Sequence, residues 1–278
     1  MIIFENQNDL QLYLQNEGIN KKIGFIPTMG ALHDGHISLI KESSKKCDLT
    51  ICSIFINPTQ FNNKEDLDKY PKTLEQDILL LKKNECDILY SPEKSDLYLA
   101  GEKVTKYNFK NFGDVLEGNY RPNHFNGVAT IVEKLLNIVK ADYAYFGLKD
   151  LQQTMIIKEL VRLKKINTKI IGLATVREKN GLAKSSRNKL LNLEGKKTAS
   201  LIYKELLLIS SSLQNNDIDS TLIKAKEKLI KNNISIEYLE IIEINSFKIS
   251  RSINSSKKHA ICIAAYVNGV RLIDNLIL

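Results

Sequence analysis

Lys22-Ile-Gly-Phe-Ile-Pro27 runs into Thr28-Met-Gly-Ala-Leu-His33-Asp-Gly-His36, takes helical spacing from His36 to Lys46, and meets a second apolar run, Leu49-Thr-Ile-Cys-Ser-Ile-Phe55. An apolar run, a glycine-containing loop, a helix and another apolar run predict strand, loop, helix and strand, with the strands covered on both faces. The rhythm continues downstream. Thr73 to Lys83 carries leucines and an isoleucine at helical spacing, and Cys86-Asp-Ile-Leu-Tyr90 is the next strand. A helix over about Gly127 to Val139 leads to the strand Asp142-Tyr-Ala-Tyr-Phe146. A helix over about Leu151 to Lys164 and the strand Lys169-Ile-Ile-Gly-Leu173 close the series. The expected fold is α/β, a doubly wound and mostly parallel sheet whose ligands gather at the carboxyl ends of the strands.

Beyond about residue 176 the character changes. Arg177 to Lys189 is a polar loop with four further basic residues (Lys179, Lys184, Arg187, Lys189) against one acid, Glu178. Helical stretches over about Glu194–Leu213 and Ser220–Lys231 precede three strand-like runs, Ile236–Ile244, Ala260–Val267 and Val270–Ile273. Helices followed by strands without alternation predict a smaller C-terminal α+β domain, so the domains expected are 1–175 and 176–278.

With 278 residues, 43% hydrophobic and 26% charged, the chain has the composition of a globular protein and not of a disordered one. Its apolar runs fall far short of the roughly 20 residues that cross a bilayer, so no membrane span is expected. The start, Met-Ile-Ile-Phe-Glu-Asn, has neither the basic region nor the extended apolar core of a secretion signal. Cys47, Cys52, Cys86 and Cys262 form no C-x-x-C pair and are expected to be buried thiols in a reducing cytoplasm. The net charge is +8, but its basic residues are scattered along the chain, so no nucleic-acid partner is expected.

Two of the four histidines, His33 and His36, lie three apart where the first loop enters its helix, which puts both imidazoles on one side of a helix N-terminus. Backbone N–H groups and the positive end of the helix dipole suit phosphate there. Two imidazoles add donors for the charge that develops when a nucleotide α-phosphate is attacked. The plainer alternative is one capping histidine and one surface histidine; a zinc site lacks a third ligand at useful spacing. Asn57 and Gln60 follow the second strand on the same rim and offer amides to a small polar substrate, or form an ordinary Asn-Pro turn. After strand 142–146, Lys149 and Asp150 suit phosphate and ribose or metal; equally, Asp150 and Gln153 have the form of a helix-start capping pair. Lys184-Ser-Ser-Arg187 is either a mobile clamp for a triphosphate or a charged linker.

Together these segments resemble the pantoate–β-alanine ligase (pantothenate synthetase) family of HxGH nucleotidyltransferases. The resemblance rests on Pro27–His36, Ser53–Phe61, Arg121-Pro-Asn-His-Phe125, Tyr145–Gln153 and Thr175–Asn188, with Ala264-Ala-Tyr266 and Arg271–Asn275 near the end. It implies a Rossmann-like nucleotidyltransferase domain, a small C-terminal lid and a homodimer. It also implies the reaction, in which ATP and pantoate give pantoyl adenylate and pyrophosphate, and β-alanine then displaces AMP to give pantothenate. On this sequence the family pattern assigns ATP to Met29, Gly30, Ala31, Leu32, His33, Asp34, Gly35 and His36. The same pattern adds Gly147, Leu148, Lys149, Asp150, Val176, Lys184, Ser185, Ser186 and Arg187. His36 is then the catalytic histidine, with His33, Lys149 and Arg187 as further charge-stabilising groups. Gln60 would contact pantoate and β-alanine, and Gln153 pantoate.

Mg²⁺ is the implied cofactor. Three positions depart from the family pattern: Leu148 where Glu is usual, Lys184 where Leu or Met is usual, and Gln76-Asp77 where an acidic pair is usual near the metal. Asp77 is thus the carboxylate expected to ligate Mg²⁺, with the ATP phosphates holding most of the ion.

Overall fold

Six strands form one all-parallel sheet in a computed structural model that describes residues 1–213 and 217–278. They are β1 (Ile2–Phe4), β2 (Ile23–Thr28), β3 (Leu49–Ile54), β4 (Ile88–Tyr90), β5 (Tyr143–Gly147) and β6 (Lys169–Leu173), in the order β1-β4-β3-β2-β5-β6. The connections are α1 (Gln7–Asn16), α2 (Asp34–Lys46), α3 (Lys64–Asp68), α4 (Leu74–Lys83), α5 (Lys94–Leu97), α6 (Glu117–Tyr120), α7 (His124–Val139) and α8 (Leu151–Lys164). Every residue of β3 is buried, as the centre of such a sheet requires. Alternation along the strand sends Leu49 and Ile51 to the face packed by α7 and α8, and Cys52 and Ile54 to the face packed by α2 and α4.

The two rims of this sheet differ chemically. At the amino ends, Asp48, Asp87 and Asp142 each accept a strand N–H, from Lys22, Thr50 and Ile23, at 2.7–2.8 Å. These carboxylates satisfy backbone donors where the strands begin. The histidine loop, the Asn57 loop and Gly147 all leave the carboxyl ends, the rim that the strand order leaves for chemistry.

The second sheet is four-stranded and antiparallel, in the order β10-β9-β7-β8: β7 (Ser235–Glu243), β8 (Lys248–Ile249), β9 (His259–Val267) and β10 (Val270–Ile277). Helices α9 (Leu193–Ser212) and α10 (Ile218–Lys231) pack on it through Leu206, Ile209, Leu222 and Leu229 against Leu239, Ile261 and Ile263. One unit comprises residues 1–113, 117–148 and 152–174, and the other residues 114–116, 149–151 and 175–278. The turn 149–151 groups with the second unit, where Asn275 Nδ2 donates to the Lys149 carbonyl at 2.9 Å.

Several boundaries differ from the sequence reading. Strand β1 and helix α1 lie outside it, since a three-residue apolar strand carries no periodicity and β1 is defined by its pairing with β4. Helix α7 begins at His124 rather than near Gly127, after Asn123 in the left-handed region at φ 64°. Cys47 is half-buried, unlike Cys52, Cys86 and Cys262, and no cysteine is in a disulfide.

Candidate active site

The histidine loop makes its own hydrogen bonds. His33 is the N-cap of α2, and its Nδ1 accepts the N–H of Gly35 at 3.1 Å. His36 turns back so that its Nδ1 accepts the N–H of His33 at 3.3 Å, and the two ring centroids lie 4.2 Å apart. A backbone N–H only donates, so each Nδ1 is the unprotonated nitrogen, and each neutral ring carries its proton on Nε2. Capping and function are therefore not alternatives here: the cap is what sets the tautomer.

Before the helix the chain passes through Gly30 and Ala31, both left-handed at φ 76° and 50°. For alanine this costs about 1 kcal/mol. Hydrogen bonds hold the turn: Thr28 Oγ1 accepts the N–H of Gly30 at 3.1 Å, while Asp77 accepts those of Ala31 and Leu32 at 2.8 Å each. The N–H groups of Gly30, Ala31, Leu32, His33 and Gly35 are thus all taken by protein acceptors. These five amides anchor the turn itself. The two imidazoles, each with its ring proton on Nε2, stand at the positive end of α2.

The second loop is also fixed from within. Asn57 Nδ2 donates to the Gly127 carbonyl and to Gln60 Oε1, each at 3.1 Å, while its Oδ1 accepts from Tyr98 Oη at 2.9 Å and Thr59 Oγ1 at 3.0 Å. A carbonyl can only accept, which settles the orientation of the Asn57 amide. Gln60 Oε1 is then occupied, and Nε2, 3.1 Å from Met29 Sδ, is the donor end of that side chain. Burial pushes the Tyr98 phenol above its ordinary range and keeps it a hydrogen-bond donor.

Sequence reading gives Arg121 and His124 no assigned role. His124 is buried and its Nδ1 donates to the Gln60 carbonyl at 2.8 Å. Gly127 lets α7 approach so closely that a Cβ there would stand 2.3 Å from the Thr59 carbonyl oxygen.

At the end of β5, a Cβ built on Gly147 would meet no atom within 4 Å, so the backbone is open there. Leu148 lies over Gly172 of β6, 2.6 Å from where a Cβ would be, which gives the apolar departure from the family pattern a packing partner. Lys149 Nζ bonds Asp150 Oδ1 at 2.9 Å. Gln153, on the first turn of α8, is half-buried beside Gln152, whose side chain bonds the Phe112 carbonyl and the Glu117 N–H.

In the second unit the basic loop is an ordered hairpin and not a linker. Arg177 and Ala183 form an antiparallel bridge, and the Lys184 N–H donates to the Val176 carbonyl at 2.9 Å. Arg177 also stacks on Tyr203, its guanidinium carbon 3.5 Å from the ring centroid, and donates to the Gly181 carbonyl. Ser185 then caps a short 3₁₀ turn, Ser186–Leu190, by accepting the Arg187 N–H at 3.3 Å.

The donor set does not build a protein cage for Mg²⁺. Asp77 is 3% exposed, and its two oxygens already accept two backbone N–H groups and Thr73 Oγ1. Among the described residues, no group of three or more His, Cys, Asp or Glu could hold a metal ion. No described helix is long and apolar enough to cross a membrane.

Comparison with known proteins adds a consistent set of likenesses. The family model for pantoate-β-alanine ligase matches residues 2–277. A pantothenate synthetase of Flavobacterium psychrophilum is 43% identical over 281 residues, covering 99% of each chain. One from Azobacteroides pseudotrichonymphae is 44% identical over 92% of each. Among solved structures, pantothenate synthetase from Thermus thermophilus superposes with a TM-score of 0.91 at 33% identity, covering 99% of each chain. Pantoate-β-alanine ligase from Francisella tularensis, solved with β,γ-ATP and β-alanine, gives 0.85 at 39% identity, covering 99% of this chain and 97% of that one.

Proposed function

The chain belongs to the pantoate–β-alanine ligase family, and from that premise we propose how its own residues carry the ATP-dependent condensation of pantoate with β-alanine. The enzyme is a carbon–nitrogen ligase. Pantoate's carboxylate is ionised at neutral pH, so the first step needs no general base. A carboxylate oxygen attacks the α-phosphorus, the bond from that phosphorus to the pyrophosphate oxygen breaks, and pantoyl adenylate forms. The amine of β-alanine, once it has lost its ammonium proton, then attacks the acyl carbon and AMP departs.

The first step must bring two anions together and absorb charge at phosphorus. The observation that carries our reading is the reciprocal cap of His33 and His36, which puts the proton of each neutral ring on Nε2. We assign His36 to the α-phosphate, with His33 beside it and Met29 to His36 lining the nucleotide. Gln60 Nε2 is a donor suited to the carboxylates of pantoate and β-alanine, and Gln153 is assigned to pantoate. Gly147, Leu148, Lys149, Asp150, Val176 and Lys184 to Arg187 are assigned to ATP, with Lys149 and Arg187 as cations for its phosphates. Phosphate oxygens and water would hold Mg²⁺ and supply charge neutralisation at the triphosphate, as suits a hard and well-hydrated ion. A cytoplasmic homodimer completes the proposal; light scattering after size exclusion tests the dimer, and cell fractionation the location.

The deciding experiment is isotope exchange of pyrophosphate into ATP. Exchange that requires pantoate but not β-alanine is the expected result. Exchange without pantoate, or a product mass showing an adenylylated ester and no amide, would replace this reading with simple nucleotidyl transfer.

A further inference from the structure

Asp77 occupies the first turn of α4, and its carboxylate faces the histidine loop. We propose that Asp77 is a positioning residue, pinning the left-handed turn at Gly30 and Ala31 so that His33 and His36 are held in their reciprocal cap, and that it is not a ligand of Mg²⁺. This rests on the assignment of that loop to ATP.

The geometry is specific. Oδ2 accepts the Ala31 N–H and Oδ1 the Leu32 N–H, both at 2.8 Å, and Thr73 Oγ1 donates to Oδ2 at 3.2 Å. Successive backbone N–H groups that converge on one point need an anion there. In this loop the protein supplies that anion itself, from a residue 46 positions away in sequence. Fit is close on the loop side too: a Cβ on Gly30 would stand 3.0 Å from Asp77 Oδ2 and 3.1 Å from Ile54 Cγ2. Leu32 is the residue before the N-cap, so its bond to Asp77 fixes the chain where it enters the cap. Losing these two bonds releases the turn that aims both imidazoles, whereas a metal ion would have to reach a carboxylate that is 3% exposed and already accepts three hydrogen bonds.

The two N–H groups go to different carboxylate oxygens, so an asparagine in the same place would turn its amide NH2 toward one of them and lose that bond. Asp77→Asn is therefore expected to speed hydrogen exchange at Ala31 and Leu32 at least tenfold in the ligand-free protein and to lower pantoate-dependent pyrophosphate exchange at least tenfold. The Mg²⁺ concentration for half-maximal rate should stay within twofold. In a His36→Ala background the same substitution should cost clearly less than in the wild type, because one of the two imidazoles it positions, and with it the reciprocal cap, is gone. Asp77→Glu keeps the charge and any metal affinity but displaces the oxygens, so it should also loosen the two amides and slow the reaction. The proposal is overturned if Asp77→Asn raises the half-saturating Mg²⁺ tenfold with unchanged amide exchange. It is equally overturned if Asp77→Glu behaves as wild type, or if the rate penalty is the same with and without His36. Absence of pantoate-dependent exchange in the wild-type protein would instead remove the ATP assignment, while amide exchange would still report whether Asp77 pins the turn.

Discussion

Arg177 and Asp274, 97 residues apart in sequence, meet through two hydrogen bonds of 2.6 and 2.9 Å between guanidinium and carboxylate. Both side chains are largely buried, and the next residue, Asn275, holds the Lys149 carbonyl. Strand β10 thus organises two segments, the hairpin 177–183 that joins Val176 to Lys184 and the turn 149–151. Arg177→Ala would leave the Asp274 carboxylate buried without its cation, at a cost of about 3–5 kcal/mol. Urea denaturation should register that loss in the midpoint with little change in slope.

His36→Ala removes the donor that the proposal assigns to the charge developing on phosphorus. The adenylation rate should fall roughly 10²- to 10³-fold, the range for losing one such donor. Single-turnover formation of pantoyl adenylate measures it, and near-normal turnover would take His36 out of the mechanism.

Lys184→Leu restores the side chain usual in the family at that position. ATP affinity should change little or fall slightly, since the Lys184 backbone bond to Val176 is kept. Calorimetric titration with ATP checks this, and a large gain in affinity would show the lysine to be a liability.

Gly127→Ala places a methyl against the Thr59 carbonyl and within 2.9 Å of the Gln60 Cα. Either α7 or the Gln60 loop must shift, and overpacking of this kind costs about 1–3 kcal/mol. The KM for β-alanine and pantoate should rise more than the KM for ATP, because the displaced loop carries Gln60. Equal rises for all three substrates would argue against a local effect.

Burial pushes the Cys86 thiol up to about 12, from an ordinary value of 9.0. The folded chain therefore holds this proton more tightly than the unfolded chain does. The stability this contributes is complete below pH 9 and is lost as pH rises from 9 to 12. Denaturation midpoints should fall across that window, and Cys86→Ala should flatten the fall.

Much of the first unit was legible because its strands are long apolar runs separated by helical periodicity. The segments 49–55 and 169–173 needed no tertiary information. Strand β1 and the role of Asp77 were illegible for one shared reason: each is defined by a partner distant in sequence. The H-x-x-H spacing placed both rings on one side of a helix start. It did not show that each ring accepts a backbone N–H, because that depends on side-chain rotation rather than on spacing. Likewise a basic, glycine-tipped stretch reads as a linker until Arg177 finds Asp274 and Tyr203.

The mutual bonding of the two imidazoles with their own turn carries one more implication. Their aim is decided while the chain folds; under the proposed assignment no donor has to be recruited for the nucleotide and little reorganisation accompanies the chemical step. Catalytic competence then becomes a property of one short turn, and mild softening of that turn should erode turnover well before spectroscopic helix content begins to drop.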